Sequence, residues 1–217
     1  MIDEVAVINL ELVVRRTKDV DLGEAAAILT ATLGRGDLLR WLAGSDSSEV
    51  DALRLCRRIA GVELGYLHFA GEAMIDNGQG GIIAWTSSQS QLNEQHRQVV
   101  ADSRQVRLRA PSATFGDRLL SIERASLEHR PTEPHLHLAY LAVLPQRRGR
   151  GIGRALLAEL HRRADEDGVL AHVDVPDVRA MEWFKAQGWQ AGEPFDVPDG
   201  GPRLWPMTRP PAPVSVS

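Results

Sequence analysis

Leu141-Ala142-Val143-Leu144-Pro145-Gln146-Arg147-Arg148-Gly149-Arg150-Gly151-Ile152-Gly153-Arg154-Ala155-Leu156-Leu157 is the stretch on which the fold turns. It begins as an apolar strand and stops at Pro145, which has no amide hydrogen to give a sheet ladder. Beyond the loop, Ala155, Leu156, Leu157 and Leu160 recur at helical spacing and mark an inward face. Between strand and helix stand Gly149, Gly151 and Gly153 at alternate positions. Without Cβ atoms the main chain can turn several N–H groups toward one point, and the start of a helix adds partial positive charge there. Arg147, Arg148, Arg150 and Arg154 surround that point with guanidinium groups. The combination is an anion cradle, and a pyrophosphate is the anion that best matches several convergent donors.

Two nucleotide motifs are excluded by spacing. No Gly-Lys-Ser/Thr closes the loop as in a P-loop, and G-x-G-x-G is not the G-x-G-x-x-G of dinucleotide folds. A nucleic-acid partner is disfavoured as well. The chain carries a net charge of −4, and no aromatic residues interleave with the arginines to stack on bases.

Working outward, 217 residues suit one substantial domain, expected over 1–209, followed by a proline-rich tail at 210–217 expected to be disordered. Hydrophobic content of 43% and charged content of 25% are those of an ordinary globular protein. No apolar run reaches membrane-spanning length, and Met1-Ile2-Asp3-Glu4 lacks the basic start of a signal peptide, so a cytoplasmic location and no membrane partner are expected. A single cysteine, Cys56, excludes an intrachain disulfide and falls in register with Leu53, Ile59 and Ala60 as a core thiol.

Periodicity predicts strands at 11–16, 72–76, 82–86, 135–144 and 170–175, with helices at 22–33, 37–42, 49–65, 89–109, 113–129, 152–166 and 178–187. Asp21-x-x-Glu24 and Asp46-x-x-Glu49 read as capping boxes at two of these helices. Asn77 to Gly81 reads as a hairpin turn, and 189–197 with 203–208 as a closing hairpin. In the strand 135–144, Leu136, Leu138 and Tyr140 hold one phase of alternation and Leu141 and Val143 the other. Side chains alternate strictly along a strand, so the switch predicts a bulge at Ala139 to Leu141.

The order of elements, together with Val143-x-Pro145-Gln146-x-x-Gly149-x-Gly151-x-Gly153, resembles the GNAT acyl-CoA N-acyltransferases over roughly residues 12–209. His129-Arg130-Pro131-x-Glu133-Pro134, Ile83-Ala84-Trp85-Thr86 and Gly201-Pro202-Arg203-x-Trp205-x-Met207-Thr208-Arg209 look most like the puromycin N-acetyltransferase branch. The resemblance implies an α/β fold whose mixed, mostly antiparallel central sheet is flanked by helices. It implies acetyl-CoA as co-substrate, no metal, and transfer to a primary amine by direct attack on the thioester. The acceptor is expected to be a small molecule, antibiotic-like or metabolic. A protein lysine or N-terminus, or a non-catalytic acyl-CoA sensor, are the alternatives. A monomer or homodimer is expected.

By the same resemblance, Gln146, Arg148, Gly149, Arg150, Gly151, Ile152, Gly153 and Arg154 would hold the coenzyme A pyrophosphate. Leu141 and Val143 would pair with the pantetheine, and the amide of Leu141 or Ala142 would bond the acyl oxygen, where a donor is stronger against the developing oxyanion. Asp177 and Phe184 match the Asn-x-x-Ala-x-x-x-Tyr segment of the family, with Asp in place of Asn and Phe in place of Tyr. Phe184 cannot protonate the departing thiolate. Release of bare thiolate at pH 7 costs about 2 kcal/mol, which predicts slower turnover, or protonation by water or Tyr140, rather than inactivity. A protonated alkylamine costs about 4–5 kcal/mol more unless a base accepts its proton. Glu133 and His137 stand as candidates for that base, with His135, His129 and Glu123 nearby; His135 and His137 share a face but lack a third ligand for a metal. Trp41 and Trp85 read as core residues.

Overall fold

The structure is a computed structural model and describes residues 12–34, 36–44, 46–70, 72–78, 80–88 and 113–213. The helix expected at 89–109, Glu11 at the start of the first strand and the tail beyond 213 lie outside the described residues. Among those described, six α-helices flank eight strands. They are β1 (Val14–Arg16), α1 (Leu22–Leu33), α2 (Asp37–Ala43), α3 (Glu49–Ala70), β2 (Glu72–Asp76), β3 (Gly81–Ser87), α4 (Ala113–His129) and β4 (His135–Val143). After β4 come α5 (Ile152–Asp167), β5 (Leu170–Val175), α6 (Val178–Lys185), β6 (Gln190–Ala191), β7 (Phe195–Asp196) and β8 (Arg203–Arg209).

The sheet runs β1-β2-β3-β4-β5-β8-β6, with β7 paired to β8 off that path. Every ladder is antiparallel except β4 with β5. This is the mixed, mostly antiparallel sheet that the resemblance implies. Two apolar layers cover it. On one face Leu136, Leu138, Ala171, Val173 and Val175 pack with Leu156, Leu157 and Leu160 of α5 and Phe184 of α6. On the other, Ile75, Ile82, Ala84 and Ala142 pack under Ala25, Ile28 and Leu29 of α1 and Leu64 of α3.

The bulge in β4 is present. Trp85 pairs with Leu138 and Ala84 with Tyr140, which leaves Ala139 without an opposite residue. The consequence for side chains differs from the simple alternation of the sequence. Leu136, Leu138, Leu141 and Val143 share the α5 face, and Tyr140 joins Ala139 and Ala142 on the α1 face. The extra residue resets the alternation.

Local corrections have clear causes. Asp21 does not cap α1; Arg15 donates to its carboxylate at 2.7 and 2.9 Å and the Lys18 amide at 2.7 Å, which close a 3-10 turn ahead of the helix. These donors, Arg15 first, pull the Asp21 carboxyl down to about 2. At α3 the cap is Ser48, whose Oγ accepts the Asp51 amide at 3.2 Å and donates to its carboxylate at 2.7 Å, two residues past the predicted box. Helix α3 also runs through Gly61 and Gly65 to Ala70. The segment 189–197 is two short strands rather than one: the Gly192 amide still donates to the carbonyl of Pro206, the residue next in register, but Pro206 has no amide to return and the ladder ends there. Past β8 the chain stays on α5, where the Ala212 amide donates to Asp165 at 2.7 Å and Arg209 forks onto the same carboxylate.

Candidate functional site

The site begins where β4 and β5 part. Their parallel ladder covers only His135 with Leu170, Leu136 with Ala171 and His137 with His172. Beyond it β4 follows β3 as far as Val143, and β5 follows β8 as far as Val175. The bulge at Ala139 increases the local twist just past the last shared pair. A fork opens between the strands.

Main-chain polarity along one arm of the fork follows from a single hydrogen bond. The Leu144 amide donates to the Gly80 carbonyl at 2.8 Å, on the β3 side. Successive residues of a strand turn their amides to opposite sides, so Ala142 also faces β3 while Leu141 and Val143 face the fork. The Ala142 amide is thereby committed to the sheet. The Val143 carbonyl, on the fork side, accepts from Arg148 Nε at 3.2 Å.

The loop that follows has the conformation its glycines allow. Gly149 has φ 76° and Gly151 φ 81°, in the left-handed region where a Cβ costs about 1–2 kcal/mol. A Cβ at either position would meet no protein atom within 4 Å, so both face open space. The first backbone bond of α5 runs from the Ala155 amide to the Gly151 carbonyl at 3.0 Å. Amides ahead of it have no earlier turn to accept them, and they point out of the helix start. The loop is buttressed from below by the β2–β3 hairpin. Asp76, 2% exposed, accepts the amides of Gly78, Gly80 and Gly81 and ties that turn. A Cβ on Gly81 would stand 2.7 Å from Ile152 and 2.8 Å from Leu156, so α5 seats closely only over a glycine. The hairpin's glycines were legible as a turn; their service to α5 was not.

A cavity of about 660 Å³ joins loop and fork. Leu141 and Val143 line it from β4, Arg147, Arg148, Gly149, Gly151, Gly153 and Arg154 from the loop, and Asp177, Trp183 and Phe184 from α6. Ile152 lines it too, while Gln146 and Arg150 are exposed and outside the lining. Asp177 caps α6 by accepting the Ala180 amide at 2.8 Å. Phe184 is 6% exposed and packs edge-on against Trp183 and Trp189. The cavity's open glycine amides, its lining arginines Arg147, Arg148, Arg154 and Arg179, and its apolar wall at the fork suit a ligand with a diphosphate at one end and an extended, amide-bearing arm at the other.

The candidate acid and base residues are scattered. Glu133 is exposed, eight residues and roughly 25 Å along the chain from Leu141. Its carbonyl accepts His135 Nδ1–H at 2.8 Å. His137 lies at the fork's apex with both ring nitrogens engaged: Nε2 at 3.2 Å from an Arg130 nitrogen and Nδ1 at 3.2 Å from His172 Nδ1. Burial, then Arg130 and the neighbouring imidazoles, hold His137 well below the usual imidazole range. Burial likewise lowers His135. Tyr140 is half-buried on the α1 face beside the bulge. Trp85 is core at 2% exposed, and Trp41 packs with α4 under the Arg118 guanidinium. Cys56 is buried, its thiol pushed up by burial. Among the described residues no three His, Cys, Asp or Glu side chains gather as a metal site. No described helix is long and apolar enough to cross a membrane.

Residues sequence reasoning missed are His172 and Asp174 on β5. His172 is wholly buried, and its Nε2 stands 3.4 Å from Asp174 Oδ1. The only signal available was their polarity at alternate positions of an otherwise apolar strand.

A parallel pair that splays beside a glycine loop and helix start defines a class. Residues 110–189 match the acetyltransferase (GNAT) family model. The fold is shared with an acetyltransferase from Corynebacterium glutamicum, described as histone acetyltransferase HPA2 and related acetyltransferase (18% identity, 94% of this chain and 99% of that chain, TM-score 0.65). It is shared also with arylalkylamine N-acetyltransferase 2 from Aedes aegypti (9% identity, 92% and 99%, TM-score 0.61). Polyamine N-acetyltransferase from Drosophila melanogaster is a third (18% identity, 92% and 100%, TM-score 0.56). Over residues 110–189 the chain is similar to the GNAT acetyltransferases, and its fold is the GNAT fold.

Proposed function

We propose that this enzyme transfers an acetyl group from acetyl-CoA to the primary amine of a small molecule by direct attack on the thioester. The observation that carries the reading is the cavity that runs from the open amides of the 149–154 loop to the fork beyond His137 and His172. Main-chain donors of the loop bind the pyrophosphate, and Arg147, Arg148 and Arg154 add charge. Leu141 and Val143 offer the pantetheine a strand edge, and the Leu141 amide, on the fork side, stabilises the oxyanion. Phe184 and Trp183 wall the thioester from water. Tyr140, beside the bulge, is the phenol proposed to protonate the thiolate that Phe184 cannot.

Small amines as acceptors are supported by fold-mates that acetylate them, the polyamine enzyme forming N-acetylagmatine and the arylalkylamine enzyme among them. The motifs around His129-Arg130-Pro131 and Gly201-Pro202-Arg203 favour the puromycin N-acetyltransferase branch. Thiol release from acetyl-CoA across a panel of alkylamines, arylamines and aminonucleosides tests the proposal. Turnover with at least one small amine is expected. Tight coenzyme binding with no turnover across the panel refutes it.

A further inference from the structure

The fork's apex holds a string of buried and half-buried polar side chains that the acyl-transfer reading leaves unused. Arg130, His137, His172 and Asp174 follow one another with contacts of 3.2, 3.2 and 3.4 Å. The direction of every proton in the string is fixed by one end. A guanidinium only donates, so His137 Nε2 accepts from Arg130. Neutral His137 therefore carries its proton on Nδ1 and donates to His172 Nδ1. Neutral His172 in turn carries its proton on Nε2, the atom that faces Asp174. The string is a row of aligned dipoles with a cation at one end and a carboxylate at the other.

That carboxylate is incompletely used. The Asp174 side chain is 7% exposed, and neither oxygen makes a hydrogen bond with a described residue; the His172 Nε2 contact does not have the geometry of one. Burying a charge without hydrogen bonds is expensive, and a native structure that keeps one needs a reason. Asp174 lies two residues beyond the last shared β4–β5 pair, on the arm of the fork opposite Tyr140. Alternation puts it on the sheet face away from Val173 and Val175, hence away from the cavity wall formed by Phe184. A thioester entering the fork from the α5 side would meet there a group approaching from the other side.

We propose that Asp174 is the catalytic carboxylate that receives the acceptor's ammonium group and takes its proton during transfer, with His172 Nε2 beside it at 3.4 Å. The inference rests on the N-acetyltransferase reading above. The amine pairs with Asp174 as a cation and reacts after losing one proton to solvent. Its nitrogen bonds to the carbonyl carbon, and the C–S bond breaks with the electron pair leaving on sulphur. One N–H proton of the attacking nitrogen passes to Asp174, and the thiolate takes a proton from the Tyr140 phenol. Solvent then returns the proton from Asp174 to Tyr140, which restores both groups.

The test is Asp174→Asn in the full chain, with the amine of highest kcat/KM for the unaltered protein. A loss of kcat/KM of about 100-fold is expected, in the range of general-base removal. Acetyl-CoA affinity by calorimetry should stay within about threefold, the spread tolerated for a group outside the cradle. The melting temperature should not fall, because no described residue hydrogen-bonds the carboxylate. A loss of activity below about tenfold, the smallest step separable from an indirect effect, overturns the proposal. So does a variant that melts several degrees lower or fails to fold, which would make Asp174 a structural group. If the unaltered protein acetylates no amine, the reading of the preceding subsection falls and takes this one with it. An active parent with an equally active variant removes Asp174 alone.

Discussion

The two ends of the fork are built on opposite plans. At the open end, the loop 149–154 presents main-chain amides, Gly149 and Gly151 have left-handed φ angles, and the arginines are exposed. At the closed end, Arg130, His137, His172 and Asp174 come from the α4–β4 loop, β4 and β5, and they meet through buried or half-buried side chains. The open end depends on backbone shape and tolerates exchange of any one side chain that leaves that shape alone. The closed end depends on side-chain identity, since a string of donors and acceptors fails at its first wrong partner.

The sharpest way to break this contrast is at Gly151. Gly151→Glu brings a carboxylate and a Cβ into the cradle and should weaken acetyl-CoA binding by at least about 100-fold with the fold retained, beyond the roughly 1–2 kcal/mol of left-handed strain. Arg150→Ala, in the same loop but exposed and outside the cavity lining, should change affinity by less than about fivefold, the scale of an exposed charge. Calorimetry on both variants decides; equal effects would erase the distinction between backbone and side-chain recognition.

Tyr140→Phe comes next. Loss of the thiolate's proton donor should lower kcat by about 30-fold, the equivalent of the roughly 2 kcal/mol for releasing bare thiolate. Steady-state kinetics with coenzyme affinity measured alongside checks it, and an unchanged kcat assigns that proton to water.

At the closed end, Arg130→Met should leave His137 Nε2 without its donor. A destabilisation of about 1–2 kcal/mol in urea unfolding is expected for a buried acceptor left unpaired. Removal of the positive charge should also raise the His137 pKa, readable by imidazole NMR. A downward shift would contradict the string as drawn.

The smallest effect is expected at His161, which accepts from Trp189 Nε1 at 2.9 Å under α5. Burial and then Arg209 push its pKa down to about 4 from 6.5. The unfolded chain binds this proton between those two values and the folded chain does not, so stability is full above pH 6.5 and declines as pH falls toward 4. His161→Gln should flatten that part of the pH profile of the melting temperature. An unchanged slope would assign it to other groups.

The open end was legible in the sequence because local rules govern it. Alternate glycines followed by an amphipathic helix specify a loop and a helix start without reference to the rest of the chain, and Val143-x-Pro145 specifies where the strand ends. The bulge was legible for the same reason, as a break in period within nine residues. Its effect was not: Tyr140 belongs with Ala142 rather than with Leu138, since one unpaired residue at Ala139 inverts every later side chain. Asp21 and Ser48 show a related limit. Several carboxylates and hydroxyls near a helix start satisfy a capping pattern, and a distant donor such as Arg15 decides which of them is diverted.

Composition and periodicity thus determined the described elements, their order and the glycine loop ahead of α5, because each depends on neighbours within a few residues. The tertiary structure alone decided that β4 and β5 share three pairs and then part, and that His137, His172 and Asp174 meet. Those outcomes depend on strand pairing between residues some 35 positions apart. Whether two polar side chains on separate strands face each other is set by register, and register is a property of the assembled sheet.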